Sequence, residues 1–553
     1  MIFLNYVNGV LCQIDNEHKI DQLYRLFSSV YQPYEELVIE KKALIEERNL
    51  AGDVDNLTRL LKRISGQTRK GRDFTLYGLK RALVEVLTLF PIYRTYISAE
   101  GHSDADLNYI NIVIEQAKER DPLLVQELSY IKTLFLLEFP DDCTEQQRQE
   151  QLYFVMRLQQ LTGPLMAKGV EDTLFYVYNR LISLNEVGGN PGQLGISLEA
   201  FHAFNRKRCD RWPEAMSATA THDTKRGEDA RARINVLSEI PGEWEQHLFQ
   251  WRELNRDKKT RHERNLVPST NDEYCFYQAI LGSFPFEAGE YPEFVERVKA
   301  YTIKAIREAK VRTAWLRPDT QYEAGCLQFV EAVLSQNPEN IFLESFLPFQ
   351  KKLAFYGILN SLSQVLLKFT APGIADVYQG TELWDLSFVD PDNRRPVDYQ
   401  RRQTYLQDIK AKEQQDRLGL LTMLLNSPED GKIKLYLSYC ALQARKDYAA
   451  VFQQGNYHPL LAEGSFSQHI IAFQRTNQDT TVVAIAPRFY TSLVLQDTLP
   501  LGETVWQDTQ IQLSDKGIAR WKNLLTGEFY KSNGKLEIGK VLQHFPVALL
   551  VSG

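Results

Sequence analysis

A histidine and an aspartate stand side by side at His222-Asp223, within the run SATATHDTKRGED from Ser217 to Asp229. The preceding stretch, Met216 to Ala220, is small and apolar enough to form a strand inside a barrel, and the charged residues that follow favour a helix capped by Thr224. The pair therefore falls at the carboxyl end of a predicted strand. In a (β/α)₈ barrel the active site lies at that end of the strands. An ionised Asp223 there can stabilise a positively charged transition state.

A structural alternative treats Asp223 as the N-cap of the following helix, because aspartate is among the preferred N-cap residues. The surrounding residues favour chemistry instead. The run ATATHDTKRGED resembles the seventh-strand signature of the α-amylase superfamily, in which a strand ends in His-Asp. Within that superfamily it is most similar to the trehalose-forming glucosylmutases. A β-rich tail and five further blocks look like that family, in its order: FLNYVNG (Phe3–Gly9), TLFPIYRTYI (Thr88–Ile97), LTGPLMAKGVEDT (Leu161–Thr173), YNRLISLNEVGGNP (Tyr178–Pro191) and APGIADVYQGTELWDLSFVDPDNRRPVDY (Ala371–Tyr399).

The resemblance and the hydrophobic pattern together predict an α/β fold: the C-terminal part of a (β/α)₈ barrel with a large all-helical insertion, followed by an antiparallel β-sandwich. Residues 1–14 would hold barrel strand six near Phe3–Val7, and residues 15–211 the helical insertion, where apolar residues recur three and four apart. Residues 212–431 would hold strands seven and eight with their helices, including a closing helix over 399–426. Short alternating runs such as IKLYLSY and TVVAIAP favour a β-sandwich over 432–553.

The family resemblance implies an intramolecular transglycosylase that opens the reducing-end α-1,4 bond of a maltooligosaccharide and rejoins the glucose by an α,α-1,1 bond. Water must be excluded from such a reaction, and we assign that role to the helical insertion. Retaining enzymes of this superfamily use a carboxylate nucleophile and a carboxylic acid. In the family, a Gly-x-Arg-x-Asp motif on strand four and a Glu on strand five supply them, before the FLNYVNG block. The sequence contains no Gly-x-Arg-x-Asp motif.

We therefore expect the chain to be the C-terminal part of such an isomerase, lacking the first five barrel strands and inactive alone. The alternative is a non-catalytic glucan-binding half, or the C-terminal subunit of a split enzyme whose partner polypeptide carries the missing strands. The DNA upstream of Met1 would distinguish a partial sequence from a split enzyme.

The resemblance also implies site residues. Asp223 would be the transition-state stabiliser, and His222 would donate a hydrogen bond to the same sugar ring. Polar groups beside aromatic rings suit sugar binding, and on that ground the predicted substrate-binding residues are Lys168, Glu171, Asp172, Tyr178, Asn179, Tyr93 and Arg94. Asp390, Asn393 and Arg395 are predicted to bind substrate because they follow strand eight, on the face where barrel loops form sites, and Lys225 and Arg226 because they follow the His-Asp pair. An exposed helix face or a set of core aromatics would show similar patterns. We expect some of the charges in FVDPDNRRPVDY to pair with one another and only one or two to face substrate.

Composition argues against several other classes of protein and partner. The 553 residues are 44% hydrophobic and 24% charged, as in ordinary globular proteins, and the net charge of −7 argues against nucleic acid as a partner. The basic run Arg59–Arg72 is interpreted as a solvated face or loop. Six scattered cysteines signal neither zinc nor disulfides, which fits a reducing cytoplasm. We expect no metal, no cofactor, no signal peptide and no membrane segment, with maltooligosaccharide as substrate.

Overall fold

Two units make up the chain in the computed structural model, which describes residues 1–69, 71–514 and 520–552. The helical unit consists of Tyr31–Tyr178 together with Glu308–Lys310. The main unit consists of Met1–Val30, Asn179–Arg307 and Val311–Gly553. No helix of the described residues is long and apolar enough to cross a membrane.

The main unit begins with α1 (Ile2–Val10) and α2 (Glu17–Ser28). The strand expected at Phe3–Val7 is therefore wrong, because this segment is helical. Its buried apolar residues Phe3, Val7 and Val10 recur three and four apart, which places them on one helix face. They join a core that also contains the aliphatic side chains of the long helix near residue 360.

The helical unit contains α3 (Tyr34–Arg48), α4 (Ala51–Ser65), α5 (Leu76–Leu89), α6 (Asp104–Arg120), α7 (Val125–Phe135) and α8 (Glu145–Met166). Local sequence signals explain two of the starts: Ser103 with Asp106, and Thr144 with Gln147, form capping boxes in which each side chain satisfies the other's backbone N–H. The unit has a hydrophobic core of its own. Its bounds are narrower than the 15–211 expected for the insertion, because α2 and the helix beginning at Leu198 belong to the main unit.

The remaining helices of the main unit are α9 (Leu198–Arg211), α10 (Glu228–Asn235), α11 (Pro241–Leu254), α12 (Thr270–Ser283), α13 (Tyr291–Ala309, whose last residues cross into the helical unit), α14 (Thr320–Val333), α15 (Ile341–Thr370), α16 (Tyr399–Gln415), α17 (Arg417–Asn426), α18 (Lys432–Asp447), α19 (Ala449–Gln454), α20 (Gly502–Trp506) and α21 (Ile538–Val541). The single closing helix expected over 399–426 is two helices, because Asp416 is extended and caps α17 through the N–H of Gly419.

Two short strands flank the region of the His-Asp pair: β1 (Met216–Ser217) lies parallel to β4 (Ile374–Ala375), with Met216 opposite Ile374. They fall where strands seven and eight were expected, and each is only two residues long. Between them in the chain, β2 (Thr260–His262) and β3 (Asn265–Val267) form an antiparallel hairpin.

Two antiparallel sheets occupy the C-terminal region. Their strands are β5 (Asn456–Pro459), β6 (Ala462–Glu463), β7 (Ile470–Asn477), β8 (Thr480–Pro487), β9 (Gln510–Gln512), β10 (Arg520–Asn523), β11 (Phe529–Lys531), β12 (Lys535–Glu537) and β13 (Ala548–Ser552). One sheet has the order β11-β10-β13-β8-β7-β5 and the other β12-β9-β6. Side chains of both sheets share one core.

The run IKLYLSY, expected as a strand, lies in helix α18. Its alternation of apolar and polar residues covers too few positions to exclude a helix. Within α18 the residues Ile433, Leu437, Cys440 and Ala444 recur at helical spacing and are all buried. Sheet structure therefore begins at Asn456 rather than near residue 432.

The pH dependence of the protein's stability tests the buried position of Glu239, which follows α10. Its carboxylate oxygen Oε2 accepts hydrogen bonds of 2.9 Å from both the backbone N–H and the hydroxyl of Thr491. Burial nevertheless raises the pKa of Glu239 from 4.5 to about 7. The folded protein therefore holds this proton more tightly than the unfolded chain does. The stability contribution of the protonated form is present below pH 4.5 and is lost as pH rises towards 7.

We predict that the free energy of unfolding of Glu239→Gln rises relative to that of the unchanged protein as pH increases from about 4.5 to about 7, with a slope of at most about 1.4 kcal/mol per pH unit. Urea unfolding at several pH values measures this difference. Glu245→Gln, at an exposed position of α11, is the control and shows no such trend. A pH-independent difference for Glu239→Gln would contradict the assignment.

Candidate active site

His222 and Asp223 lie in a tight turn between β1 and α10. The hydroxyl of Thr224 donates a 2.8 Å hydrogen bond to the carbonyl of Thr221, and the backbone N–H of Asp223 donates to the Thr221 hydroxyl at 3.2 Å. The hydroxyl of Thr224 also accepts a hydrogen bond from the backbone N–H of Thr221, and its side chain is buried. Thr224 therefore stabilises the turn. The side chains of His222 and Asp223 themselves are exposed.

Neither of those two side chains forms a hydrogen bond or ion pair with another residue of the described chain. The N-cap alternative for Asp223 is wrong, since α10 starts at Glu228 and its N-cap is Gly227. Thr224 does not cap this helix either, because the loop runs on for three residues. The imidazole and the carboxylate of the pair are therefore available to a ligand.

Glu186 anchors the chain that leaves this turn. It follows the 3-10 turn Ile182–Leu184, and its carboxylate accepts backbone hydrogen bonds of 2.9 Å from both Lys225 and Arg226. The side chain of Glu186 is fully buried and forms an ion pair of 3.4 Å with the equally buried Arg231. Burial raises the pKa of Glu186, while Arg231 and the backbone donors act in the opposite direction.

Arg231 binds the backbone on both sides of the turn. Its guanidinium donates hydrogen bonds to the carbonyls of Thr219 and Arg226, on the two sides of the His-Asp pair. Because these hydrogen bonds are buried, they fix the guanidinium and the two carbonyls relative to one another, although the Nε of Arg231 has no hydrogen-bond partner among the described residues. Glu186 and Arg231 together thus act as a clamp on residues 219–226.

Asn393 holds the same turn through its carbonyl groups. Its amide nitrogen Nδ2 lies 3.1 Å from the carbonyl of His222, 3.3 Å from that of Thr221 and 3.4 Å from that of Thr224. Asn393 lies in the loop between β4 and α16 and is 8% exposed. The predicted binding residue therefore contacts the backbone of the His-Asp turn, which makes it a positioning residue.

A buried ionic cluster lies directly behind the turn, at the start of α10. Lys434 of α18 forms ion pairs with Glu228 at 2.8 Å and with Asp229 at 2.6 Å, and all three side chains are almost without access to water. Burial alone would lower the pKa of Lys434, but the two carboxylates raise it. Lys368 of α15 adds a second cation 3.4 Å from Glu228. This cluster joins α10, α15 and α18.

Two further predicted binding residues, Lys225 and Arg226, are buried. The guanidinium of Arg226 donates hydrogen bonds of 2.9 Å to the carbonyl of Ile182 and to the hydroxyl of Tyr301. The side chain of Lys225 is 4% exposed. Their contacts within the main unit stabilise the loop that follows His222-Asp223.

The charges of the 390–395 loop pair mainly with other elements, whereas the sequence led us to expect pairs among themselves. Within the loop, Arg395 lies 3.3 Å from Asp392 and Arg394 lies 3.9 Å from Asp390. Asp390 forms an ion pair with Lys304 at 2.8 Å, and Arg395 with Glu293 at 2.9 Å. Arg297 of α13 binds both carboxylate oxygens of Asp392, at 2.7 and 2.8 Å. Burial opposes the charge of Asp392, but Arg297 holds its pKa below the usual value. These pairs secure the loop that carries Asn393.

In the helical unit the structure brings four predicted residues together at the end of α8. The chain makes a π-helical turn over Ala167–Glu171, a feature that often marks functional sites. Lys168 pairs with Asp172 at 2.7 Å, and the hydroxyl of Tyr93 donates a hydrogen bond to Glu171. Lys310, which sequence reasoning missed, donates a 2.9 Å hydrogen bond to the hydroxyl of Thr173.

Three other predicted residues have different surroundings. Arg94 lies 4.7 Å from the ring centre of Tyr96 and donates to the carbonyl of Thr95 at 3.2 Å. The ring of Tyr178 is buried and meets the ring of Tyr34 edge-on at 5.1 Å. Asn179 is fully buried in the main unit, where its side-chain amide has no hydrogen-bond partner among the described residues.

Comparison with known proteins gives the chain a family. No family model matches it. Two proteins described as putative maltooligosyl trehalose synthases, from two strains of Mycobacterium tuberculosis, are 33% identical to it over 398 residues. The structure of maltooligosyltrehalose synthase from Arthrobacter ramosus matches the whole chain with a TM-score of 0.80 and 30% identity. The chain belongs to the maltooligosyl trehalose synthase family.

The match covers only part of each relative. The aligned region is 72% of this chain and 45% of each mycobacterial protein, so the chain spans about half the length of these curated relatives. It covers 63% of the Arthrobacter structure. A hypothetical maltooligosyl trehalose synthase from Sulfolobus tokodaii matches the whole chain at a TM-score of 0.70 and 28% identity, with 62% of that structure covered. Over its whole length the chain therefore shares part of the α-amylase-type fold of these structures.

We predict that Glu186→Gln lowers the free energy of unfolding by about 3–5 kcal/mol, because it removes one partner of a buried ion pair and turns an acceptor into a donor facing a backbone N–H. Chemical denaturation measures this change, and faster hydrogen exchange at the amides of Lys225 and Arg226 localises it. Glu344→Gln, at an exposed position of α15, is the control. A loss below about 1 kcal/mol would mean that Glu186 does not clamp the turn.

Proposed function

We propose that the chain acts in the intramolecular transglycosylation of maltooligosaccharides, converting the reducing-end α-1,4 bond to an α,α-1,1 bond. One observation carries the proposal: an exposed His-Asp pair is held rigidly by a buried clamp on one side and by Asn393 on the other. Such a fixed, water-accessible carboxylate suits the stabilisation of an oxocarbenium-like transition state, because it needs no reorganisation when the charge develops. Family membership supplies the substrate class.

In this proposal Asp223 accepts hydrogen bonds from sugar hydroxyls and stabilises the developing positive charge, while His222 donates a hydrogen bond to the same ring. β1 and β4 would be strands seven and eight of a (β/α)₈ barrel, and the two C-terminal sheets would form an antiparallel sandwich. Lys168, Glu171, Asp172 and Tyr93 would contribute sugar contacts in the helical unit, whose proposed role is to exclude water.

The nucleophile and the acid of a retaining mechanism are further carboxylates. Because the sequence has no Gly-x-Arg-x-Asp motif, we propose that they lie on a polypeptide segment outside these 553 residues, in the same chain or in a partner. The same observation supports a second candidate, a glucan-binding half without catalysis. The two differ in product: only the first yields a non-reducing α,α-1,1 end when the complementary segment is added.

We predict that Asp223→Asn lowers kcat by more than tenfold, a barrier increase above about 1.4 kcal/mol, in the chain combined with a polypeptide that supplies the first five barrel strands. Loss of reducing ends from maltopentaose measures the rate. The change removes a charge and almost no volume, so unfolding is expected to be unaltered. Asp210→Asn, at another exposed aspartate of the main unit, is the control and keeps full activity.

Two results would count against the assignment. More than a tenth of the rate remaining in Asp223→Asn would show that this carboxylate is not a transition-state group. Formation of the α,α-1,1 product by the chain alone would place the nucleophile and the acid within these 553 residues and exclude the complementary segment. Titration calorimetry with maltopentaose tests the non-catalytic candidate, which requires binding without conversion.

A further inference from the structure

A groove between α4 and α8 in the helical unit gathers arginines that the proposed function does not use. The residues of the two helices that line the groove recur at helical spacing, and the groove has a volume of about 760 Å³. Arg59 and Arg63 of α4 and Arg157 of α8 line it. This volume lies within the usual range for small-molecule sites, about 300–1,000 Å³.

The charge of the groove is unbalanced. Among the described residues, Arg59 and Arg157 form no close ion pair: Arg59 donates to the amide oxygen of Asn56 at 3.3 Å, and Arg157 to that of Gln160 at 3.1 Å. Asp55, whose pKa is lowered chiefly by Lys80 and also by the charge of Arg59, is not among the residues that line the groove. Arg63 has a loose contact of 3.7 Å with Glu150. Asp53 is the carboxylate among the lining residues, so positive charge is in excess there, although the whole chain carries −7.

The rest of the lining is apolar and aromatic. Tyr153 is 56% exposed on α8, and Leu57 and Leu161 form a floor that connects with the core of the unit. A flat ring can lie against such a surface while an anionic group reaches the arginines. The basic run that starts at Arg59, interpreted from sequence as a solvated face, thus contributes two of the three guanidinium groups.

We propose that this groove, the arginine groove, binds a phosphate monoester carried on a ring, such as a sugar phosphate or a nucleoside monophosphate. A phosphate monoester carries nearly two charges at neutral pH and three acceptor oxygens, and guanidinium forks match that geometry. A single carboxylate ligand would leave part of the excess charge uncompensated. This inference does not rest on the proposed function, because it involves none of the residues assigned to catalysis or glucan binding.

The test is titration calorimetry of the full chain at low salt with glucose 6-phosphate, AMP and inorganic phosphate. At least one ring-bearing phosphate binds about tenfold more tightly than inorganic phosphate. Arg59→Gln and Arg157→Gln each weaken that binding by about tenfold, the loss expected for one charge-assisted hydrogen bond. Tyr153→Ala weakens binding of the ring-bearing phosphate but not that of inorganic phosphate.

Matched controls come from the same unit. Arg48 is exposed and has no ion-pair partner in the described chain, and Tyr77 is 72% exposed outside the groove, so Arg48→Gln and Tyr77→Ala leave binding unchanged. Thermal unfolding of each variant verifies its fold. Because Arg59 and Arg157 are on different helices, either variant alone carries the test if the other does not fold.

Four results would overturn the proposal. The first is no binding of either ring-bearing phosphate at about 10 mM. The second is binding that is unaffected in both Arg59→Gln and Arg157→Gln. The third is an equal loss in Arg48→Gln, which would show only general attraction of anions. The fourth is tighter binding of a single-stranded oligonucleotide than of AMP, which would identify the groove as part of a nucleic-acid surface.

Discussion

A carboxylate removed from water must find its hydrogen bonds inside the protein, and Glu186 does so on the backbone of the His-Asp loop. Its two oxygens receive the N–H groups of Lys225 and Arg226, and the remaining charge is met by Arg231. The position of His222-Asp223 therefore follows from the need to satisfy one buried charge. In the ionic cluster of Glu228, Asp229 and Lys434, buried charges are again satisfied by partners inside the protein, and this cluster fixes the start of α10.

Helix α10 shows why composition misleads about burial. Four of the eight residues in its sequence EDARARIN are charged, a composition typical of a solvated helix face, yet all eight residues are buried. Each charge has a partner on another element: Glu228 and Asp229 on α15 and α18, Arg231 on Glu186, and Arg233 on the carbonyl of Phe284. Along the sequence, these partners lie 45 to 206 residues from the α10 residues that they contact, so the local sequence pattern cannot identify them.

The sequence located the His-Asp turn and the loop that holds it, but it misassigned several of the surrounding elements. The run containing His222-Asp223 and the block with Asn393 were identified because polar residues followed apolar strand-like runs, and the two short strands lie where those runs are. The helix at Ile2–Val10 was missed because block resemblance was preferred to the spacing of its apolar residues, which was helical throughout. Glu186 was noticed only as part of a matching block. Nothing local distinguishes a buried carboxylate that binds backbone from one that faces a ligand.

The turn that carries the His-Asp pair is held by donors and acceptors from two distant stretches of chain, one around residue 186 and one around residue 393. Exchanging any one of these three segments with that of a relative would alter contacts made by the other two. Loop grafting in this family would therefore have to transplant the three as a unit, and natural recombination within it would be expected to preserve their combination.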